Sequence, residues 1–385
     1  MRNRRVKIRA TMRELAVAAL LICAVAFSSC TAGSGVAGVA EEGEVNTAAG
    51  GAANTSAESA APYEEVGFAM GTVVNQTIYM RGENLSPAAI TAEIIGILEN
   101  VESKWLSWRV EDSDIAAINE SAGTGVPARV ADETAAYIED ALRIAEDSGG
   151  AFDPTIGKLS RLWDFDGGKN KIPDSAEIKR LAKDVGYAGI RLDGRSVLLE
   201  KASGIDLGAA GKGIGCDEIE AYLNEADGVK GALVNVGGSS ILTYGEKGTG
   251  EPWKVAVLDP RDPSGFLGAI SLDGTHHVST SGDYERYFEI DGKRYHHILD
   301  PKTGYPADSG LMSVTVVAKD GADCDALSTA CFVLGYEKAL PLLAKYGAEG
   351  IFVDTDRRVF LTEGIRDRFT LIADGYDLER EEGTK

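Results

Sequence analysis

Histidine is nearly absent from this chain: 385 residues carry four, and all lie between His276 and His297. Few side chains besides imidazole exchange protons near neutrality without a large pKa shift, so that chemistry is expected within this one segment. Cysteine is scarce too, at five. One falls within an N-terminal leader, and Cys30, Cys216, Cys324 and Cys331 form no disulfide framework. Cys324 and Cys331, seven apart on an expected helix, stand roughly 10 Å apart along its axis at a rise of about 1.5 Å per residue, beyond bridging distance. Buried small hydrophobes are the expected role of the cysteines after Cys30. Basic residues are outnumbered, 39 Lys and Arg against 60 Asp and Glu, for a net charge of −21. That surface repels nucleic acid and anionic headgroups, so no nucleic-acid partner is expected. An anionic ligand must then be met locally, by a metal, a few cations or helix ends. No period of 20–50 residues repeats, which excludes solenoids and propellers.

The N-terminus reads as targeting. Arg2, Arg4, Arg5, Lys7, Arg9 and Arg13 precede an apolar run from Leu15 to Phe27 that ends at Ser28-Ser29-Cys30. A basic segment and a short apolar core make residues 1–29 a signal peptide, and the run is too short for a comfortable membrane span. Small residues directly before a cysteine resemble the bacterial lipobox. Cys30 is expected to carry lipid and hold an exported protein at the extracytoplasmic membrane face; an ordinary signal peptide cleaved near Ala32 is the alternative. Residues 30–62 are rich in Ala, Gly, Ser, Thr and Glu and have no aromatic side chain. They cannot bury enough apolar surface to order themselves and read as a tether. From 63 to 373 the composition turns globular, and 374–385 reads as a charged, frayed tail.

Within the globular region the periodicity predicts α+β, with mixed and antiparallel sheets against packed helices. A strand is expected over Val66–Tyr79, then a helix opened by Ser86-Pro87 with an apolar stripe at Ile90, Ile94, Leu98 and Val101. A second helix runs from about Asp132 to Ser148, and Asp174-Ser-Ala-Glu177 is a capping box for a third. Asp193-Gly194 and Asp291-Gly292 read as hairpin turns. A glycine-rich turn and helix cover Leu207–Leu223; further strands follow, then helices from Ala322 and Tyr336 and a last hairpin at Ile351–Leu361.

Several segments could carry chemistry. Val278-Ser-Thr-Ser-Gly-Asp-Tyr284 and Tyr295-His-His-Ile-Leu-Asp-Pro301 gather histidines, hydroxyls and carboxylates at the two ends of a hairpin. Ile205-Asp-Leu-Gly-Ala-Ala-Gly-Lys-Gly213 fails both the Walker spacing and the dinucleotide fingerprint. Its glycines still let backbone N–H groups approach phosphate, and Lys212 adds charge; a tight packing turn is the plainer alternative. Asp325 and Thr329, at i and i+4, share one face near a helix start. Together they could offer oxygen ligands to Mg²⁺, or serve as a cap and a solvated face.

Taken in order, Met70-Gly-Thr72, Ala151-Phe-Asp-Pro-Thr-Ile-Gly157 with Trp163, the Ile205–Gly213 run with Asp217, Leu233-Val-Asn-Val-Gly-Gly238, Ser279-Thr-Ser-Gly-Asp-Tyr284, His296-His-Ile-x-Asp-Pro-x-Thr-Gly304 and Asp325-Ala-x-Ser-Thr329 resemble the ApbE family over about residues 63–362. These are FAD:protein FMN transferases, often exported lipoproteins. The resemblance implies an FAD-binding crevice and Mg²⁺-dependent transfer of FMN to a threonine or serine of another protein, with AMP leaving. It implies metal ligation by Asp325, Thr329 and the Ala209 carbonyl, with Ser328 left out. Met70, Ala151, Phe152, Asp153, Asp206, Lys212 and Leu299 are implied cofactor contacts, with Trp108 standing where relatives often place a tyrosine. His297 is the implied base. The acceptor would be an exported or membrane redox protein. FAD pyrophosphatase activity, and a non-catalytic flavin-binding lipoprotein, are the alternatives.

Overall fold

A computed structural model describes residues 61–82, 86–168 and 170–379. The expected signal peptide, Cys30 and nearly all of the tether lie outside the described residues. Two strands form where one was expected: β1 (Tyr63–Ala69) and β2 (Thr72–Met80) pair antiparallel. Met70 and Gly71 turn between them at φ of 50° and 69°, the left-handed pair that a two-residue hairpin requires. The sequence hid this turn because methionine is not a residue that announces positive φ.

Helices α1 (Pro87–Asn100), α2 (Asp114–Ser121) and α3 (Asp132–Asp147) follow, with the short strand β3 (Ala128–Arg129) between the last two. A wider helical turn, Val101–Leu106, extends α1. Next come α4 (Gly157–Trp163) and α5 (Ser175–Ala182), whose first turn is capped by Asp174 accepting from the N–H groups of Ala176 and Glu177. β4 (Ile190–Asp193) and β5 (Ser196–Leu199) form the expected hairpin and, with β3, a small sheet. Helix α6 (Gly211–Glu225) leads into β6 (Val229–Val236), β7 (Ser240–Gly245), β8 (Trp253–Asp259), β9 (Asp262–Leu272) and β10 (His276–Gly282). β11 (Tyr287–Ile290) and β12 (Lys293–His296) pair across Asp291-Gly292. β13 (Leu311–Ala318), α7 (Gly321–Leu334), α8 (Tyr336–Tyr346), β14 (Glu349–Asp354), β15 (Arg358–Leu361), β16 (Phe369–Leu371) and β17 (Asp377–Leu378) complete the order.

The main sheet has nine strands in the order β1-β2-β6-β7-β10-β13-β14-β15-β17. Its neighbours are antiparallel except β15 and β17. One face packs under α1, α6, α7 and α8; the other packs on the three-stranded sheet β16-β9-β8. Because side chains alternate across a strand, a central strand sends buried side chains to both faces. β13 does so, with Val314 and Val316 in the helical core and Val317 in the inter-sheet core. β10 escaped the sequence reading because Ser and Thr fill it in place of an alternating apolar pattern, and β7 because Ile241 and Leu242 sit side by side between Ser240 and Thr243. Here hydroxyls pair across the sheet, as Thr280 does with Thr315 at 2.9 Å. Residues 374–379, expected to belong to a frayed tail, are packed instead: Tyr376 is buried, its hydroxyl bonded to Asp259, and β17 adds to β15. Cys216, Cys324 and Cys331 are free and buried, as expected.

Candidate active site

Close helix packing builds the floor of the site. Helices α6 and α7 cross at Gly213 and Gly321. A Cβ at Gly213 would lie 1.9 Å from the Gly321 carbonyl oxygen, and one at Gly321 would lie 2.4 Å from that of Gly213. The glycine-rich turn is thus a packing device, and its consequence is chemical. It brings Asp325, one turn into α7, against α6, where Gly213 N–H donates to Asp325 Oδ2 at 3.1 Å. Burial pushes the Asp325 carboxyl up to about 6, while Lys212, the Gly213 N–H and the Ser240 hydroxyl pull the other way. Thr329 follows one turn later, its hydroxyl 3.2 Å from Ser281 Oγ. Ser328 is fully buried, donating to the Asp325 carbonyl and paired with Ser281.

Above this floor opens a cavity. Its wall includes Trp108, Ala151, Phe152, Asp153, Asp206, Ala209, Lys212, His297, Leu299, Asp325 and Thr329. Every candidate named from the sequence is therefore brought together except Met70. Met70 sits in the β1–β2 turn against α6, its Cε 3.7 Å from where a Gly211 Cβ would lie. Asp153 lines the cavity, but its carboxylate is already engaged. It accepts from the Thr155 N–H and hydroxyl and from the Tyr187 N–H at 2.7 to 2.9 Å. Asp206 accepts the Gly208 N–H at 2.9 Å, and the Lys212 ammonium donates to Ser239 Oγ.

The four histidines separate cleanly. His297 lines the cavity; burial holds it well below the usual imidazole range, helped by the positive charges of Arg286 and Lys212 and by His296. Its backbone N–H donates to the Arg286 carbonyl, and its Nδ1 has no hydrogen-bond partner among the described residues. His296 turns into the protein toward the Ala307 carbonyl and the edge of Phe332. His276 bonds the Asp273 carbonyl and His277 bonds Glu220, both outside the cavity.

The cavity also holds groups the sequence did not single out: Arg109, Arg161, Asp166, Glu285 and Arg286. Glu285-Arg286 directly follows the Ser279–Tyr284 motif, a signal that was available. Arg109 and Arg286 meet at Asp166, at 2.7 and 3.2 Å, tying three segments together at the rim. Two guanidinium carbons lie over the Trp108 ring, from Arg109 at 4.3 Å and Arg161 at 4.9 Å.

The donor set fits a hard divalent cation. Asp325 and Thr329 offer oxygens on one helix face, Ala209 lines the same wall and has a main-chain carbonyl to offer, and the buried carboxylate gains from a positive partner. A second acid–histidine group, Asp217, Glu220 and His277, has ligand atoms within 4.8 Å of one another. There Asp217 accepts the N–H groups of Gly321 and Ala322 at 2.6 and 2.7 Å, capping α7, and Glu220 accepts from His277 at 2.8 Å.

Comparison with known proteins converges on one family. The model of the ApbE family matches residues 70–352. A Treponema pallidum protein named FAD:protein FMN transferase is 35% identical over 334 residues, 83% of this chain and 91% of its own length. The crystal structure of an ApbE protein from Thermotoga maritima superposes with a TM-score of 0.73 at 35% identity, covering 80% of this chain and 99% of that one. The apo flavinyl transferase ApbE of Pseudomonas stutzeri gives 0.71 at 30% identity, covering 80% and 96%. With the motifs in order, every candidate site residue but Met70 on one cavity and this likeness over most of its length, the chain belongs to the ApbE family.

Proposed function

We propose that the protein transfers the FMN half of FAD to a threonine or serine hydroxyl of another protein, with AMP as leaving group. The observation that carries this reading is convergence on one cavity. An aromatic wall (Trp108, Phe152), an oxygen set (Asp325, Thr329, Ala209), Lys212 and a neutral histidine, His297, all face the same space. Mg²⁺ held by that oxygen set would neutralise charge on the pyrophosphate and polarise the attacked phosphorus. Lys212 adds a fixed positive charge beside Asp325. Phosphoryl transfer otherwise needs mainly positioning and electrostatic stabilisation, which a rigid floor of two crossed helices supplies. The hydroxyl oxygen bonds to the FMN phosphorus as the phosphoanhydride bond breaks, and the bridging oxygen leaves on AMP. His297, which lines the cavity, takes the hydroxyl proton.

Residues 1–30 support an exported enzyme anchored by lipid at Cys30, and an exported enzyme requires an exported or membrane acceptor, a redox protein in this reading. Replacing Cys30 with Ser should abolish lipid on the N-terminal peptide, as read by mass. For the reaction, the purified protein is mixed with FAD, Mg²⁺ and a flavin-acceptor domain, and the acceptor is weighed intact. The expected result is a gain of one FMN phosphodiester, lost when the acceptor threonine is replaced. Free FMN and AMP without labelling would identify hydrolysis instead, and intact bound FAD a flavin carrier.

A further inference from the structure

Four cations line the cavity, and three are engaged by polar neighbours. Arg109 and Arg286 share Asp166, and Lys212 is bonded to Ser239. Arg161 differs. It makes no hydrogen bond or ion pair among the described residues; its guanidinium lies over the Trp108 ring, with Asp206 as a more distant opposite charge. Burial lowers its pKa despite Asp206, the mark of a cation short of compensation.

Its position is built. Arg161 stands on α4, whose first turn is pinned by Gly157 N–H to the Gly204 carbonyl at 3.0 Å and Lys158 N–H to the Ser203 carbonyl at 2.9 Å. Gly204 has φ of +82°, and a Cβ there would lie 2.4 Å from Arg161 Nη2. The guanidinium thus rests against bare backbone on one side and an indole on another. A guanidinium has five donors and no acceptor, so what it lacks is an anion.

We propose that Arg161 is a phosphate-binding residue of this cavity, donating to the pyrophosphate of the dinucleotide. The inference rests on the flavin reading of the site. A flavin ring stacked on Trp108 competes with the guanidinium for the indole face. The long side chain, displaced from the ring, reaches the group whose negative charge it can offset. Arg161 is then a positioning residue that registers the pyrophosphate against Asp325 and His297.

The test is equilibrium binding by the full protein, wild type, Arg161→Gln and Arg161→Lys, without turnover. The ligands are FAD, followed by flavin fluorescence, and its two phosphate-free halves, riboflavin directly and adenosine by competition. Arg161→Gln should weaken FAD by about 10- to 100-fold, the range of a hydrogen bond to a charged group, leave adenosine within about twofold, and not weaken riboflavin, whose ring no longer competes with the guanidinium for Trp108. Arg161→Lys should recover part of the loss, since it restores charge but not the planar fork. Equal losses for FAD and a phosphate-free half would overturn the assignment, because Arg161 would then act on a ring or on the fold. Unchanged FAD affinity would overturn it as well. Absence of FAD binding by the wild type would defeat the flavin reading itself, a result distinct from either.

Discussion

Two groups of carboxylates and a histidine are built around the α6–α7 crossing, and they differ in what their lone pairs already do. In the first, Asp325 and Thr329 face a cavity that His297 also lines, and Asp325 accepts one backbone N–H. In the second, both oxygens of Asp217 accept backbone N–H groups, and Glu220 accepts from His277. By composition the second is the more obvious metal site, with two acids and an imidazole within 4.8 Å. An unpartnered Nδ1 does not separate them, since His277 and His297 share that feature. Saturation and access do: His277 is 1% exposed and borders no part of the cavity. A buried carboxylate that caps a helix is structure, and one left facing a cavity with spare lone pairs is available for chemistry.

The comparison breaks first at Asp325. Asp325→Ala should cut Mg²⁺-dependent AMP release by about 10³-fold or more, the scale of losing a metal that stabilises the transition state. FAD affinity should fall less. Full Mg²⁺-dependent turnover in that variant would remove the metal assignment. His297→Ala should slow transfer by about 10²-fold, the lower range for a general base, with FAD still bound; normal turnover would leave the hydroxyl proton without its acceptor. His277→Ala should leave the rate of folded enzyme near wild type and act on melting temperature.

Gly213→Ala tests the floor that both groups share. The new Cβ meets the Gly321 carbonyl, so the helices must separate. Overpacking of this kind costs about 1–3 kcal/mol, read as a lower melting temperature. The same shift draws Asp325 from the Gly213 N–H, so the Mg²⁺ concentration for half-maximal rate should rise. A variant with unchanged melting and Mg²⁺ response would mean that the crossing does not position the carboxylate.

How much of this was legible in the sequence depends on whether a feature is linear. The capping box at Asp174, the Asp291-Gly292 hairpin and the Asp325/Thr329 spacing are local, and the structure has all three as read. The gathering of Ala151, Asp206, Lys212, His297 and Thr329 on one cavity was reachable only through motif order, because nothing local joins them. Arg161 and the Asp166 clasp were invisible for a related reason: an arginine short of an anion differs from a solvated one only in three dimensions. β10 was missed because hydroxyls replace the apolar alternation by which strands are recognised, and Met70-Gly71 because a methionine turns the chain.

The smallest effect sharpens the comparison from the structural side. Asp217 has its carboxyl pushed up to about 7, first by burial and then by Asp320, with His277 and the two backbone N–H groups opposing. Its unfolded reference is 3.8. Between 3.8 and about 7 the folded chain therefore keeps a proton that the unfolded chain has released. Stability contributed by this group is present at the acid end and declines as pH rises through that window. Asp217→Asn removes the titration while leaving one amide oxygen to accept an N–H of α7. The variant should melt below wild type, and the gap should narrow as pH rises from the acid end of the window to above it. A gap that widens instead would mean that the ionised carboxylate is favoured at the helix N-terminus over its burial cost, and that Asp217 resembles Asp325 more closely than its saturated oxygens imply.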